Sequence, residues 1–189
     1  MASNRIFERI ASWEHAFVRR LHQWVLPAYL HRLLVIFVRV GDGWGWAAIA
    51  AGLFLYLPQA RFKFILGQAL LAVAISLPVY WAFKFLFRRQ RPYTAVAGIS
   101  ARVPPLDKYS FPSGHTMNNL AVAMTLALNI PHLWPLAIFI PLSLGLLRIF
   151  FGVHFLTDIV GGALLGAMSA LGAHSLFPSI VPYLPRFFL

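Results

Sequence analysis

The sequence predicts an all-α fold, a polytopic membrane bundle of five to six spans with an N-terminal amphipathic helix. Three observations carry this. Of 189 residues, 60% are hydrophobic and 11% charged, against about 25% charged in an average globular protein. Long uncharged runs alternate with Pro, Gly and clusters of Arg and Lys. Cysteine is absent, which excludes thiolate chemistry and thiolate-held metals.

In chain order, Ile6, Ile10, Phe17, Leu21 and Trp24 alternate with Arg5, Arg9, Arg19 and Arg20 at helical spacing, so residues 1–25 read as an interfacial amphipathic helix. Basic residues spread through this segment, with no compact apolar core before a small-residue site, argue against a signal peptide. Leu26–Val40 offers a short span whose His31 and Arg32 must snorkel. Clear spans follow at about Trp44–Leu57, Phe64–Phe83, Thr116–Ile130, Leu133–Phe151 and Phe155–Phe177. In the last, Gly161, Gly162, Gly166 and Ala170 suit close helix contact. No repeat or second domain interrupts residues 1–189, which read as a single membrane domain.

The formal charge of +11 would ordinarily suggest nucleic acid. The hydropathy instead makes membrane lipids the expected partner; no nucleic acid and no obligate protein partner is expected. Five carboxylates, Glu8, Glu14, Asp42, Asp107 and Asp158, are too scattered for a carboxylate-built two-metal centre. Counting spans brings the unusual polar residues to one face: residues 84–92 leave the second clear span there, Ser113 opens the next, and Arg148 and His154 flank the last turn.

Each cluster has chemical sense. Lys84 and Arg91, two turns apart on a continuing helix, supply a point charge and a planar fork for a phosphate, and Arg148 closes the clamp. Ser113 and Gly114 stand at a helix start, where free N–H groups and the helix dipole favour an anion. His154 and Asp158, four apart, share a helical face; the carboxylate fixes the imidazole tautomer and supports its cationic form, making His154 a candidate nucleophile. His115, beside the phosphate loop, is a candidate proton donor to the departing oxygen. Arg88 and Arg89 read as a basic stop-transfer pair, and Asp42, in Gly41-Asp42-Gly43, as a turn and cap first and an accessory site residue second. His15, His22, His31, His132 and His174 read as structural. Residues 93–111 lack periodicity and are long enough to cover a pocket.

The three patterns, Lys-x6-Arg-Pro, Pro-Ser-Gly-His and Arg-x5-His-x3-Asp, occupy residues 84–158 and resemble the signature of the type 2 phosphatidic acid phosphatase superfamily. One departure is Leu147 where the third motif usually begins with Ser. The resemblance implies a membrane lipid phosphatase: His154 attacks phosphorus to give a phosphohistidine, Asp158 orients it, and His115 protonates the leaving oxygen. Lys84, Arg91, Ser113, Gly114 and Arg148 would hold the phosphoryl oxygens, with no metal or other cofactor. Among substrates of similar members, undecaprenyl diphosphate is favoured over phosphatidylglycerophosphate and phosphatidic acid.

A different class, an anion or phosphate transporter or channel, requires polar residues at several depths. This sequence gathers them at one face, apart from Gln68 and Ser76. Orientation follows the span count. Six spans, with the three basic phosphate ligands set aside, give a positive-inside bias towards an extracytoplasmic active site, and five reverse it. The resemblance favours the extracytoplasmic face of the cell membrane.

Overall fold

The computed structural model describes residues 2–183, and among them every regular element is helical. Helix α1 (Ala2–His22) is followed by α2 (Ala28–Arg39), which a π-helical stretch, Val40–Trp44, joins to α3 (Gly45–Tyr56). Then come α4 (Gln59–Phe87), the short α5 (Pro92–Ala95), α6 (Gly114–Asn129), α7 (Trp134–Phe150) and α8 (Leu156–Ile180). Four helical stretches are long and apolar enough to cross a membrane: Ala28–Tyr56, Gln59–Ala95, Pro131–Phe150 and Leu156–Tyr183. At 16 residues α6 is shorter, about 24 Å at 1.5 Å per residue, yet it is the central helix, packed by α4, α7 and α8.

The sequence suggested two separate spans on either side of Gly41-Asp42-Gly43. The structure keeps them as two helices joined across a kink in the π-helical stretch. Gly43 takes the bend with φ 131°, a conformation that costs little only without a Cβ. Asn119 Nδ2 donates to the Gly41 carbonyl at 3.1 Å, tying the bend to α6. Asp42 lies in this kinked stretch, and its carboxylate is hydrogen-bonded to His115.

Close approach of α8 to α6 rests on the small residues that the sequence marked. A Cβ at Gly162 would lie 2.6 Å from the Ser113 carbonyl oxygen, and one at Gly166 would run into the Met117 carbonyl. Buried polar groups along the bundle pair with one another. Asn129 donates to Gln68 at 2.6 Å and Ser76 donates to Asn118 at 2.8 Å, as expected of packing hydrogen bonds.

Helix α1 turns its apolar Ile6, Phe7, Ile10 and Trp13 outward and buries Glu14 and Val18. Val18 packs with Ile149, Phe155 and Ile159, and the Ser100 amide donates to His22 at 3.3 Å. The N-terminal helix thus lies against the end of the bundle where α4 and α7 finish and α6 and α8 begin.

Candidate active site

Ser113 caps α6, its hydroxyl accepting from the Thr116 amide at 3.5 Å and the Thr116 hydroxyl at 3.1 Å. Gly114 and His115 form the first turn, whose N–H groups lie outside the intrahelical ladder. Glycine is required at 114 by packing, because a Cβ would stand 2.8 Å from the Tyr80 ring. The Ser113 amide donates to the Asp158 carbonyl oxygen at 3.0 Å, which ties the start of α6 to the start of α8.

Lys84 and Arg91 meet, but not as two turns of one helix. α4 ends at Phe87, Arg88 adopts a left-handed conformation with φ 46°, and Arg91 caps α5 after the chain has turned. Their meeting point is Asp107. Its Oδ1 accepts from Lys84 Nζ at 2.8 Å and from Arg91 at 2.9 Å, while Tyr80 donates its hydroxyl to Oδ2. Burial alone would raise the Asp107 carboxyl, but hydrogen bonds from Lys84 and Tyr80 and the neighbouring positive charges hold it below its ordinary value of 3.8. A carboxylate of the chain itself thereby occupies the cationic pair. The non-periodic segment 93–111 delivers it, pinned by the Arg102 amide on the Phe151 carbonyl at 3.0 Å and the Ser110 amide on the Arg89 carbonyl at 2.8 Å.

His154 lies in the turn between α7 and α8, 2% exposed. Its Nε2 stands 3.2 Å from Arg91 and its Nδ1 3.4 Å from Asp158 Oδ2. One ring nitrogen thus faces the cationic pair and the other the carboxylate. Burial depresses the His154 imidazole to about 3, Asp158 opposing and Arg91 adding to the effect, so the ring is neutral near pH 7. The sequence had Asp158 supporting a cationic imidazole; desolvation outweighs that support. Asp158 is itself fully buried, accepting from the Phe155 amide at 2.7 Å and from Arg89 at 2.6 Å.

Arg148, 4% exposed at the end of α7, and His115 line the same cavity as Arg91 and His154. His115 Nε2 is hydrogen-bonded to Asp42, which also pairs with Arg39 at 3.5 Å. All eight residues picked from the sequence thus gather at one end of the bundle. Sequence reasoning missed the partners: Asp107, read only as a scattered acid; Asp42, taken first for a turn; and Arg89, taken for a stop-transfer charge. Arg88 is exposed, its side chain donating to the Phe85 carbonyl at 3.0 Å and its amide to the Lys84 carbonyl at 3.1 Å.

The cavity has a volume of about 480 Å³ and two characters. Arg91, His115, Arg148, His154 and Asp107 make one part polar; Trp46, Val73, Leu77, Trp81 and Val122 make the other apolar. Trp46, Val73 and Val122 also line a second, almost wholly apolar cavity of about 250 Å³ between α3 and α4. The site cavity and an apolar trench thus share a wall of Trp46, Val73 and Val122. Among the described residues, no group of three or more His, Asp or Glu is placed to hold a metal ion.

Comparison with known proteins agrees with this arrangement. The sequence pattern of the PAP2 superfamily matches residues 65–181. An undecaprenyl-diphosphatase of Sulfolobus acidocaldarius is 27% identical over 141 residues, covering 74% of this chain and 67% of its own length. A decaprenylphosphoryl-5-phosphoribose phosphatase of Mycobacterium tuberculosis is 32% identical over 125 residues, 65% of this chain and 66% of its own. The chain thus spans about two-thirds of the length of each relative. The crystal structure of Aquifex aeolicus LpxE shares the fold, with a TM-score of 0.72 at 24% identity, over 85% of this chain and 93% of that one.

Proposed function

The chain belongs to the PAP2 superfamily, and from that premise we propose that it hydrolyses the phosphate or diphosphate of a polyprenyl lipid through a phosphohistidine. Undecaprenyl diphosphate is the favoured substrate, ahead of phosphatidylglycerophosphate and phosphatidic acid. The names of the two relatives, both acting on polyprenyl-linked phosphates, support that order, and so does the trench between α3 and α4, which suits a prenyl chain.

One observation carries the mechanism: His154 turns Nε2 to the cationic cluster and Nδ1 to Asp158. In the proposed reaction the neutral Nε2 attacks phosphorus. The N–P bond forms as the P–O bond to the leaving group breaks, and His115 gives its proton to the departing oxygen. Water then attacks the phosphohistidine, His115 takes up a proton, and inorganic phosphate leaves. Lys84, Arg91, Arg148 and the Ser113–Gly114 start of α6 hold the phosphoryl oxygens and neutralise developing charge, the principal work in phosphoryl transfer. Three cations already supply that charge, so the reaction runs without a metal. An incoming phosphate must displace the Asp107 carboxylate.

Residues 84–158 carry the chemistry inside a single membrane domain, with α1 lying in the interface and five passages between the two ends. Resemblance alone implied an extracytoplasmic site. We keep that orientation; the docking of α1, which brings Arg5, Arg9, Arg19 and Arg20 to the catalytic end while Arg61 and Lys63 flank the opposite one, is the observation that favours the reverse under the positive-inside rule. Polar groups of the bundle away from the site, Gln68 with Asn129 and Ser76 with Asn118, are paired with one another, which weighs against the transporter reading.

Phosphate release from detergent-solubilised undecaprenyl diphosphate tests the function. Turnover should persist in EDTA and be blocked by vanadate, which adopts the trigonal bipyramid of in-line transfer. Loss of turnover in EDTA with recovery on adding magnesium would contradict the mechanism. Phosphate movement across vesicles without hydrolysis would favour the transporter.

A further inference from the structure

We propose that Glu14 and Arg89 are positioning residues that hold Asp158 against His154, making the docking of α1 a condition of turnover. This rests on the assignment of His154 and Asp158 as nucleophile and orienting partner. Glu14 is the anomaly of α1: an acid in a basic amphipathic helix, yet 1% exposed. One of its oxygens accepts from the Thr157 amide and from the Thr157 hydroxyl, each at 2.8 Å, and the other pairs with Arg89 at 2.6 Å. Arg89 turns its other terminal nitrogen to Asp158 Oδ1 and the Thr157 hydroxyl, both at 2.6 Å, and lays its guanidinium over the Phe155 ring at 4.3 Å.

The arrangement therefore runs from α1 through one guanidinium to the carboxylate beside the nucleophile. Among the described residues, the Asp158 carboxylate has two anchors besides its neighbour His154: the Phe155 amide on Oδ2 and Arg89 on Oδ1. Oδ2 is also the oxygen 3.4 Å from His154 Nδ1. Rotation about the Cβ–Cγ bond moves both oxygens together, so a hold on Oδ1 fixes where Oδ2 meets the imidazole. Arg89 is a fork, and a fork held at one prong keeps its geometry less well than one held at two. Its side chain is 26% exposed, which leaves it room to swing into solvent once Glu14 lets go. Membrane-embedded or membrane-surface placement of α1 is thereby coupled to the geometry of the nucleophile.

Glu14→Gln tests this with the least disturbance, since the amide keeps an acceptor for Thr157 and loses the charge that holds Arg89. Arg89→Lys keeps the charge and removes the fork. Each variant should lower kcat on farnesyl diphosphate in detergent by about 10- to 100-fold, the range seen when a partner that orients an active ligand is removed. The KM and the vanadate inhibition constant should stay within about twofold, because the Lys84, Arg91 and Arg148 cluster is untouched. The double variant should be hardly worse than either single one, as for residues acting through one contact. Thermal melting in detergent identifies the folded fraction, and kcat is expressed per folded molecule. Parental kcat in both variants would overturn the proposal, as would a fall in vanadate affinity matching the fall in turnover. Asp158→Asn, run alongside, separates the two readings. If it is inactive while Glu14→Gln and Arg89→Lys turn over normally, only the positioning role fails; if it turns over like the parent, the nucleophile assignment fails.

Discussion

Asp107 shows how a single side chain changes the account of this site. Lys84 and Arg91 were legible as anion ligands from their types and spacing, but not the carboxylate that meets them. It arrives from residues 93–111, a segment with no periodicity to reveal where any side chain goes. The available signal was one acid between Arg102, Lys108 and the Arg89–Arg91 cluster, in a chain with five carboxylates in all. Because Lys84 and Arg91 keep its carboxyl below 3.8, Asp107 is ionised throughout the neutral range and competes with phosphate there; protonation relieves the competition only as the pH falls below that value. Asp107→Asn should therefore bind vanadate more tightly at pH 7, by about 5- to 30-fold if roughly 1 to 2 kcal/mol of charge pairing is removed. It should also melt earlier, having lost a tie between the cover and α4. Weaker vanadate inhibition would mean that Asp107 aligns the two cations rather than opposing their ligand. Arg89 was misread for a related reason: sequence spacing told Lys84 from its neighbours but could not show that the chain turns at Arg88.

At the scale of elements, the helical periodicity and the small residues of α8 were readable, because both are local properties. Gly162 and Gly166 on one face set how closely α8 approaches α6, and hence how near Asp158 lies to Ser113. Adding a methyl at Gly162 pushes into the Ser113 carbonyl, whereas at Gly172 the nearest group is Ile75 at 3.8 Å, an ordinary contact. Gly162→Ala should accordingly destabilise by about 1 to 3 kcal/mol, the usual cost of overpacking. Gly172→Ala should be neutral or stabilising by up to about 1 kcal/mol, from helix propensity. Thermal melts of the two variants in one detergent check the contrast, and equal melting points would contradict the packing described. The kinked helical joint between α2 and α3 was legible only in part. Gly41-Asp42-Gly43 is a turn by local preference; Gly43 leaves the helical region there, and the bond from Asn119, 78 residues away, ties Gly41 to α6.

For the whole molecule, the convergence of motifs on one end followed from counting helices, while the side of the membrane did not, since it hinges on where the first forty residues lie. With the catalytic end proposed on the extracytoplasmic face, the end of α8 lies in the cytoplasm. A reporter active only outside the cytoplasm, fused after Leu189, should be silent though stably expressed; an active reporter would place the catalytic end in the cytoplasm. The chemistry holds in either orientation, and its central claim is that His154 carries the phosphoryl group. Rapid quenching of the parent and of His154→Ala after mixing with polyprenyl diphosphate labelled in its terminal phosphate measures this directly. The account predicts acid-labile, alkali-stable label on the parent protein and none on His154→Ala. Label retained on a folded His154→Ala protein would contradict it.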